Sequence, residues 1–419
     1  MLRSKMFFLI VAATVLLGIT AGFTNQNNEN TKVRNKSDHH LNWIGAWSAS
    51  PQSPYDSGIS QEGFENQTVR MIVNPHAFGD QVRLRFSNTF SLQPLTFGKV
   101  GIALSNGGAE TIPGSQKHVT FSGKQSITLQ PGAEVISDPL AFKVKDGQNL
   151  AISVYVPEAS GPTTWHRLSR QTSYISESGD HTDEADGNVY TDSVVSWFWL
   201  SAVDVLTKNN YGRVIVTLGD SITDGHSSTI DANLRWPDIL DDRLDKKYAN
   251  KNFSVLNSGI SGNKILRDSP SYGANALARL NRDVLSQTGA TDVILLEGIN
   301  DIGHTPHTLD SGKIIAGMEQ IAAQVHAKGL RIYAGTLLPF RDTTINGYFT
   351  EEGEIVRQEV NHWIRTSGVF DDFIDFDKVM QDPEHPQKLR KEYDSGDHLH
   401  PNDAGYHAMA EAIDLTLFR

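Results

Sequence analysis

From Val214 to Gly225 the chain reads Val-Ile-Val-Thr-Leu-Gly-Asp-Ser-Ile-Thr-Asp-Gly, which sets Ser221 on the turn where an apolar strand gives way to a helix. A serine hydroxyl is a poor nucleophile until a base is held against it, and the free N–H groups of a helix start suit an oxyanion. Glycine and aspartate also build ordinary turns, so the segment needs support from elsewhere. Three other segments carry suitable groups. Glu297-Gly298-Ile299-Asn300-Asp301 puts an amide side chain just past a strand. Asn257-Ser258-Gly259-Ile260-Ser261-Gly262-Asn263 is a glycine loop whose N–H groups can face a ligand. Asp394 to Tyr406 carries an acid, Asp397, and an imidazole, His400, three residues apart.

The elements that must position these groups are legible as pattern. From Arg213 onward, short apolar runs alternate with helical periodicity. Strands are expected at Arg213–Leu218, Phe253–Leu256, Asp292–Leu296, Leu330–Leu337 and Phe373–Phe376. Helices are expected at Trp236–Tyr248, Asn275–Ser286, Ser311–Lys328, Glu351–Thr366 and Asp403–Leu417. This is the grammar of a parallel sheet covered on both faces, where ligands bind beyond the carboxyl ends of the strands. Between Trp43 and Leu206 the period is two. Gln81-Val82-Arg83-Leu84-Arg85-Phe86-Ser87 alternates strictly, as do Val100, Ile102, Leu104 and Leu150, Ile152, Val154, Val156, with turns at Phe78-Gly79-Asp80, Asn106-Gly107-Gly108 and Asp146-Gly147. An all-β sandwich, jelly-roll-like, is therefore expected over 41–206, ahead of an α/β unit over 211–419.

Together the four chemical segments resemble the SGNH, or GDSL-type, hydrolase family. Gly219-Asp220-Ser221-Ile222 matches its first block, Gly262 the second, Gly298-Ile299-Asn300-Asp301 the third and Asp397-His398-Leu399-His400 the fourth. The resemblance implies a flavodoxin-like three-layer α/β/α fold, with Ser221 as nucleophile, His400 as base and Asp397 as its orienter. It also implies an oxyanion hole built from the N–H of Ser221, the N–H of Gly262 and the side-chain amide of Asn300. Each role is physically sound: the base needs a fixed tautomer, which an acid on Nδ1 supplies, and an amide donor stabilises charge that develops on the substrate. Gly259 is the alternative to Gly262 as donor. Arg235-Trp236-Pro237, Asn275-Ala276-Leu277-Ala278-Arg279 and the stretch from Trp43 to Gln52 resemble the extracellular acylhydrolase or arylesterase branch associated with xylan degradation.

Other candidates are weaker. Asp220 and Asp224 read as helix caps, and His398, His304 and His307 as structural or solvent-facing residues. His226, His304, His307, His326 and His362 lack zinc spacing, and the acidic run 179–187 departs from the EF-hand pattern, so neither a metal nor a cofactor is expected. Trp47, Trp165, Trp197 and Trp199 either stack on sugars or, as the Trp197-Phe198-Trp199 alternation favours, lie in a core. His166 and Gln171 to Tyr174 alternatively line the catalytic mouth.

A net charge of -12 without a basic cluster excludes nucleic-acid binding as a main activity. Arg3 and Lys5, followed by the apolar run Met6 to Leu17 and small residues near Ala21 and Gly22, predict an export signal over 1–22, then a polar tether over 23–40. No cysteine is present, so lipid-modified cysteine and disulfides are excluded. The expectation is a secreted bacterial serine esterase acting on small-molecule or polysaccharide esters, most plausibly acetyl esters of carbohydrate, and not membrane-bound once the signal is cleaved. The alternatives are a lipase or lysophospholipase, or a glycan-binding protein with a vestigial hydrolase domain.

Overall fold

The computed structural model describes residues 41–419 apart from Asn209, Asn210 and Asn250; the expected export signal and tether lie outside the described residues. Residues 42–207 form two short ladders, Trp165–His166 with Trp197–Phe198 and Leu95–Phe97 with Ile127–Leu129, and two larger antiparallel sheets. One orders its strands Asn42–Ser48, Leu200–Thr207, Gln81–Ser87, Glu134–Ile136. The other runs Asp192–Val194, Ser173–Ser178, Gln67–Val73, Leu150–Val156, Lys99–Gly107, with Glu110–Thr111 and Lys117–Val119 both pairing with the last of these. The period-two pattern has the expected consequence. Leu150, Ile152, Val154 and Val156 join a core cluster with Val82, Leu84 and Phe86. Between them Ser153 turns the other way and accepts from Nε of the buried Arg70 at 2.8 Å.

Five parallel strands follow, Tyr211–Gly219, Asn252–Gly259, Asp292–Leu296, Arg331–Gly335 and Asp372–Ile374. Counted along the chain, their order in the sheet is second, first, third, fourth, fifth. That is the flavodoxin-like arrangement, with its switch point between the first and third strands. Alternation along the first strand assigns the two helical layers. Val214, Val216 and Leu218 belong to the cluster holding Ile314, Met318, Ile321 and Val325 of the helix Ser311–Ala327. Ile215 belongs to the cluster holding Trp236, Leu240, Leu244, Tyr406 and Met409. The chain is thus a three-layer α/β/α unit preceded by an all-β region. The helix expected over Asn275–Ser286 is α-helical only to Leu280 and continues as a wider π turn to Leu285. The closing helix stops at Ala412, before a 3-10 turn at Leu415–Phe418. The short helices Ile299–Gly303 and Phe376–Met380 have too few residues to show a period.

The β region is packed tightly against the α/β unit. Opposite the core-facing Val82 and Leu84, Arg83 and Arg85 reach Asp204 at 2.9 and 3.4 Å, and Arg85 continues to Thr288 and the Ser286 carbonyl. Gly45 donates to the Thr288 carbonyl at 2.8 Å; a β-carbon on Gly45 would sit 2.7 Å from Leu256, so only glycine lets the two regions come this close. His76 crosses the same boundary, with Nδ1 2.6 Å from the Val255 carbonyl and Nε2 3.2 Å from Asp238. Both partners accept, so both ring nitrogens carry hydrogen. Burial opposes that charge, but Asp241 and Asp238 outweigh it and raise the imidazole to about 10. Despite its own burial, Asp238 is held at about 2 by Arg235 and His76.

A pKa raised on folding contributes stability that is complete below the unfolded value and is lost as pH rises through the folded one. Unfolding free energy from urea titrations is therefore expected to fall between pH 7 and pH 10, by an amount on the order of 4 kcal/mol for His76 alone. His76→Gln should flatten that dependence; an unchanged slope in the variant would show that His76 is not charged in the folded state.

Candidate active site

The strand register brings the separate segments together. Gly219 pairs with Gly259 on one side and with Leu296 on the other, so Ser221, the glycine loop and Asn300 all leave from neighbouring strand ends at the switch point. A β-carbon on Gly219 would lie 2.6 Å from the Leu296 carbonyl, and glycine is required for that approach. Past it, the Asp220 side chain accepts from the Ile222 N–H at 2.9 Å and starts the short helix Ser221–Asp224, as its type predicts.

His400 arrives from the other end of the chain. Its Nε2 lies 2.8 Å from Ser221 Oγ, and its Nδ1 lies 2.6 Å from Asp397 Oδ2. The second Asp397 oxygen accepts from the N–H groups of His400 and Leu399 at 2.8 and 3.0 Å and from Ser395 Oγ at 3.1 Å. Burial alone would raise this carboxyl, but the imidazole and the two backbone donors hold it well below the usual carboxylate range. An ionised Asp397 takes the Nδ1 hydrogen, which leaves the Nε2 lone pair for the Ser221 proton. His398, between them, is turned outward with Nδ1 2.5 Å from Asp394.

Two backbone donors and one side-chain donor remain free around Ser221. The N–H groups of Ser221 and Gly262 donate to no protein group among the described residues. Gly259 is different: its N–H is taken by Asn257 Oδ1 at 2.8 Å, and its α-carbon packs on the Asp224 backbone. Gly262 has φ +79° and lies under the Tyr272 ring, where a β-carbon would be 2.2 Å from a ring carbon. Asn300 is 3% exposed; its Oδ1 accepts from Tyr348 Oη at 2.8 Å, while its buried Nδ2 has no partner. A buried amide hydrogen without an acceptor is costly unless an oxygen visits it. Tyr348 fixes which end of the amide points inward.

Several neighbours had no readable signal. His226 packs against His400 with tilted rings and centroids 4.1 Å apart, and burial together with His400 lowers its imidazole to about 4. The ligand atoms of His226, Asp397 and His400 are mutually within 4.8 Å, but both His400 nitrogens already face Ser221 and Asp397. His304, expected in solvent, instead lies between Tyr272 and Tyr348 at 5.0 and 5.1 Å, and burial, with Lys264 and His307, lowers it to about 4. His307 bonds the Ile302 carbonyl. Asp224, expected as a cap, ends its helix and bonds elsewhere. The four tryptophans 47, 165, 197 and 199 are all buried, at 7% exposure or less, which removes the sugar-stacking reading of them. In the acidic run 179–187, Asp180 and Asp183 pair with Lys99, and Asp186 closes a turn on Asn188.

This arrangement predicts one hydroxyl of abnormal reactivity. A fluorophosphonate probe is expected to add one equivalent to Ser221, read by peptide mass, with labelling at least ~100-fold slower in His400→Ala, where no base remains. Equal labelling in the variant would mean that His400 does not activate Ser221.

A family described as GDSL-like Lipase/Acylhydrolase matches residues 217–408. Similar solved structures include a GDSL-like lipase from Bacteroides thetaiotaomicron, 19% identical, TM-score 0.37, covering 48% of this chain and 85% of that one. An aryl esterase from M. smegmatis is 18% identical with TM-score 0.39, and a carbohydrate acetylesterase from Sinorhizobium meliloti 16% identical with TM-score 0.39; each aligns over 48% of this chain and 95% of its own. No curated protein matches the chain in sequence. The match over residues 217–408 supports a GDSL-like lipase/acylhydrolase relationship for that part of the chain, and the protein is an ester hydrolase.

Proposed function

We propose that this protein hydrolyses short-chain acyl esters of carbohydrates outside the cell, through an acyl-serine intermediate on Ser221. The observation that carries the chemistry is the chain Ser221–His400–Asp397, at 2.8 and 2.6 Å, beside the unpartnered Asn300 amide. Ser221 Oγ attacks the ester carbonyl as its proton moves to His400 Nε2. The carbonyl oxygen, now negative, is held by the N–H groups of Ser221 and Gly262 and by Asn300 Nδ2. The tetrahedral species collapses, the alcohol leaves with the proton from His400, and the acyl group stays on Ser221. Water then gives a proton to His400 and attacks the acyl carbonyl; as the bond to Ser221 Oγ breaks, His400 returns that proton to Oγ and the acid leaves.

Short acyl groups are favoured by crowding. Ser221, Asn300 and His400 are each less than 10% exposed; Tyr272 lies against Gly262 and Tyr348 against Asn300, with His304 packed between the two tyrosines. No helix among the described residues is long and apolar enough to cross a membrane. Export and a carbohydrate substrate are supported by the N-terminal sequence and by the xylan-associated resemblance.

The test is turnover of aryl esters of rising acyl length, with acetate release from acetylated xylan and pectin measured alongside. Acetyl esters should be fastest; a maximum at long chains would replace this reading with that of a lipase. Ser221→Ala is expected to lose at least ~10⁴-fold in kcat, and Asn300→Ala ~10²–10³-fold, with KM little changed.

A further inference from the structure

His166 belongs to the β region, in a two-residue ladder opposite Trp197, and is buried at 4% exposure. Its Nδ1 lies 2.9 Å from the Ser50 carbonyl and its Nε2 3.0 Å from Asp224 Oδ1. Both partners are acceptors, so both ring nitrogens must donate and the ring is an imidazolium. Burial disfavours that charge, but Asp224 and the Ser50 carbonyl overcome it and raise the imidazole above its ordinary value, with Arg235 opposing them. The other Asp224 oxygen accepts from Ser261, from its N–H at 2.8 Å and its Oγ at 2.7 Å. Ser261 immediately precedes Gly262, and Asp224 ends the helix that Ser221 begins. One carboxylate therefore joins the nucleophile's helix to the loop bearing the Gly262 N–H, and a charged side chain from the β region holds that carboxylate.

We propose that His166 is a positioning residue for ester hydrolysis, and that the His166–Asp224–Ser261 brace makes the β region part of the catalytic apparatus. The proposal rests on the reading of Gly262 as an oxyanion donor. Without His166, Asp224 can rotate away from Ser261. A carboxylate without its counter-charge would also stand near the developing oxyanion. His166, Asp224 and Ser261 are all buried, so loss of the brace should appear in kcat more than in KM. His76 supplies the contrast, because it crosses the same boundary as a buried cation but contacts Asp238 and Val255 and does not touch Asp224.

The experiment measures kcat and KM for an aryl acetate in His166→Ala, His166→Gln, Asp224→Asn and Ser261→Ala, with His76→Gln and Ser221→Ala in parallel and urea unfolding on each. His166→Ala is expected to lose ~10–100-fold in kcat, less than removal of a whole oxyanion donor, with KM within about twofold of the parent. Ser261→Ala should lose several-fold, and His166→Gln, which keeps a donor toward Asp224, should recover part of the loss. His76→Gln should lose stability without a matching fall in kcat. The brace is overturned if folded His166 variants keep kcat within twofold, or if His76→Gln loses as much kcat as they do. If neither His166 variant folds, Ser261→Ala and Asp224→Asn decide, and parental kcat in both overturns it. Turnover surviving in Ser221→Ala would instead sink the acyl-serine reading, whatever His166 does.

Discussion

The buried guanidinium of Arg279 is the constraint around which the site is organised. Its side chain is fully excluded from solvent, so its N–H groups must be satisfied by protein. Nε donates to Asn263 Oδ1 at 2.9 Å, Nη2 to the Gly219 carbonyl at 3.0 Å, and Nη1 to the Ser258 carbonyl at 2.7 Å and Asp283 at 3.2 Å. These acceptors belong to the turn before Ser221, the strand before the glycine loop, and the residue after Gly262. One planar, rigid fork therefore sets the spacing between the Ser221 turn and the Gly262 loop. Nη1 also reaches Ser50 Oγ at 3.2 Å, which anchors the β region at the same point.

The charge around this hub is arranged so that few groups remain unbalanced. Arg282 and Arg279 hold Asp283 below its ordinary value against its burial, while burial and Asp220 push Glu297 well above it. Asp283, at 3.2 Å, lies nearer the Arg279 guanidinium than Glu297 does at 3.8 Å. Beside the serine the same economy holds. His226 is kept uncharged by burial and by His400, which leaves His400 as the imidazole able to take a proton there.

Two imidazoliums from the β region, His76 and His166, enter the α/β unit and meet Asp238 and Asp224. Buried ion pairs contribute little net stability when both partners are desolvated, but they specify geometry, since losing one partner strands the other. Together with Arg85 on Asp204 and Thr288, they make the boundary between the regions a fixed one. The two antiparallel sheets are thereby held against the α/β unit.

Much of this was legible in order of local signal. Period two over 81–87 and 150–156, the apolar run Asp292–Leu296 and the helical spacing over Glu351–Thr366 were enough to place those elements, because alternation and helical periodicity are set by neighbours in sequence. Ser221, Gly262, Asn300, Asp397 and His400 were also legible, each within a short motif at a strand end or before a helix. What the chain alone did not reveal involves partners far apart in sequence. Tyr348 orients Asn300 from 48 residues away, and His166 reaches Asp224 across 58. Asp224 looks like a cap and His304 like a loop residue until packing surrounds them. Sequence determined which groups could do chemistry and on which elements they lie, because those properties are local. Only the tertiary structure decided which N–H groups stay free, Gly259's being taken and Gly262's not, and which histidines are charged, because those depend on burial and on the acceptors that folding brings within reach.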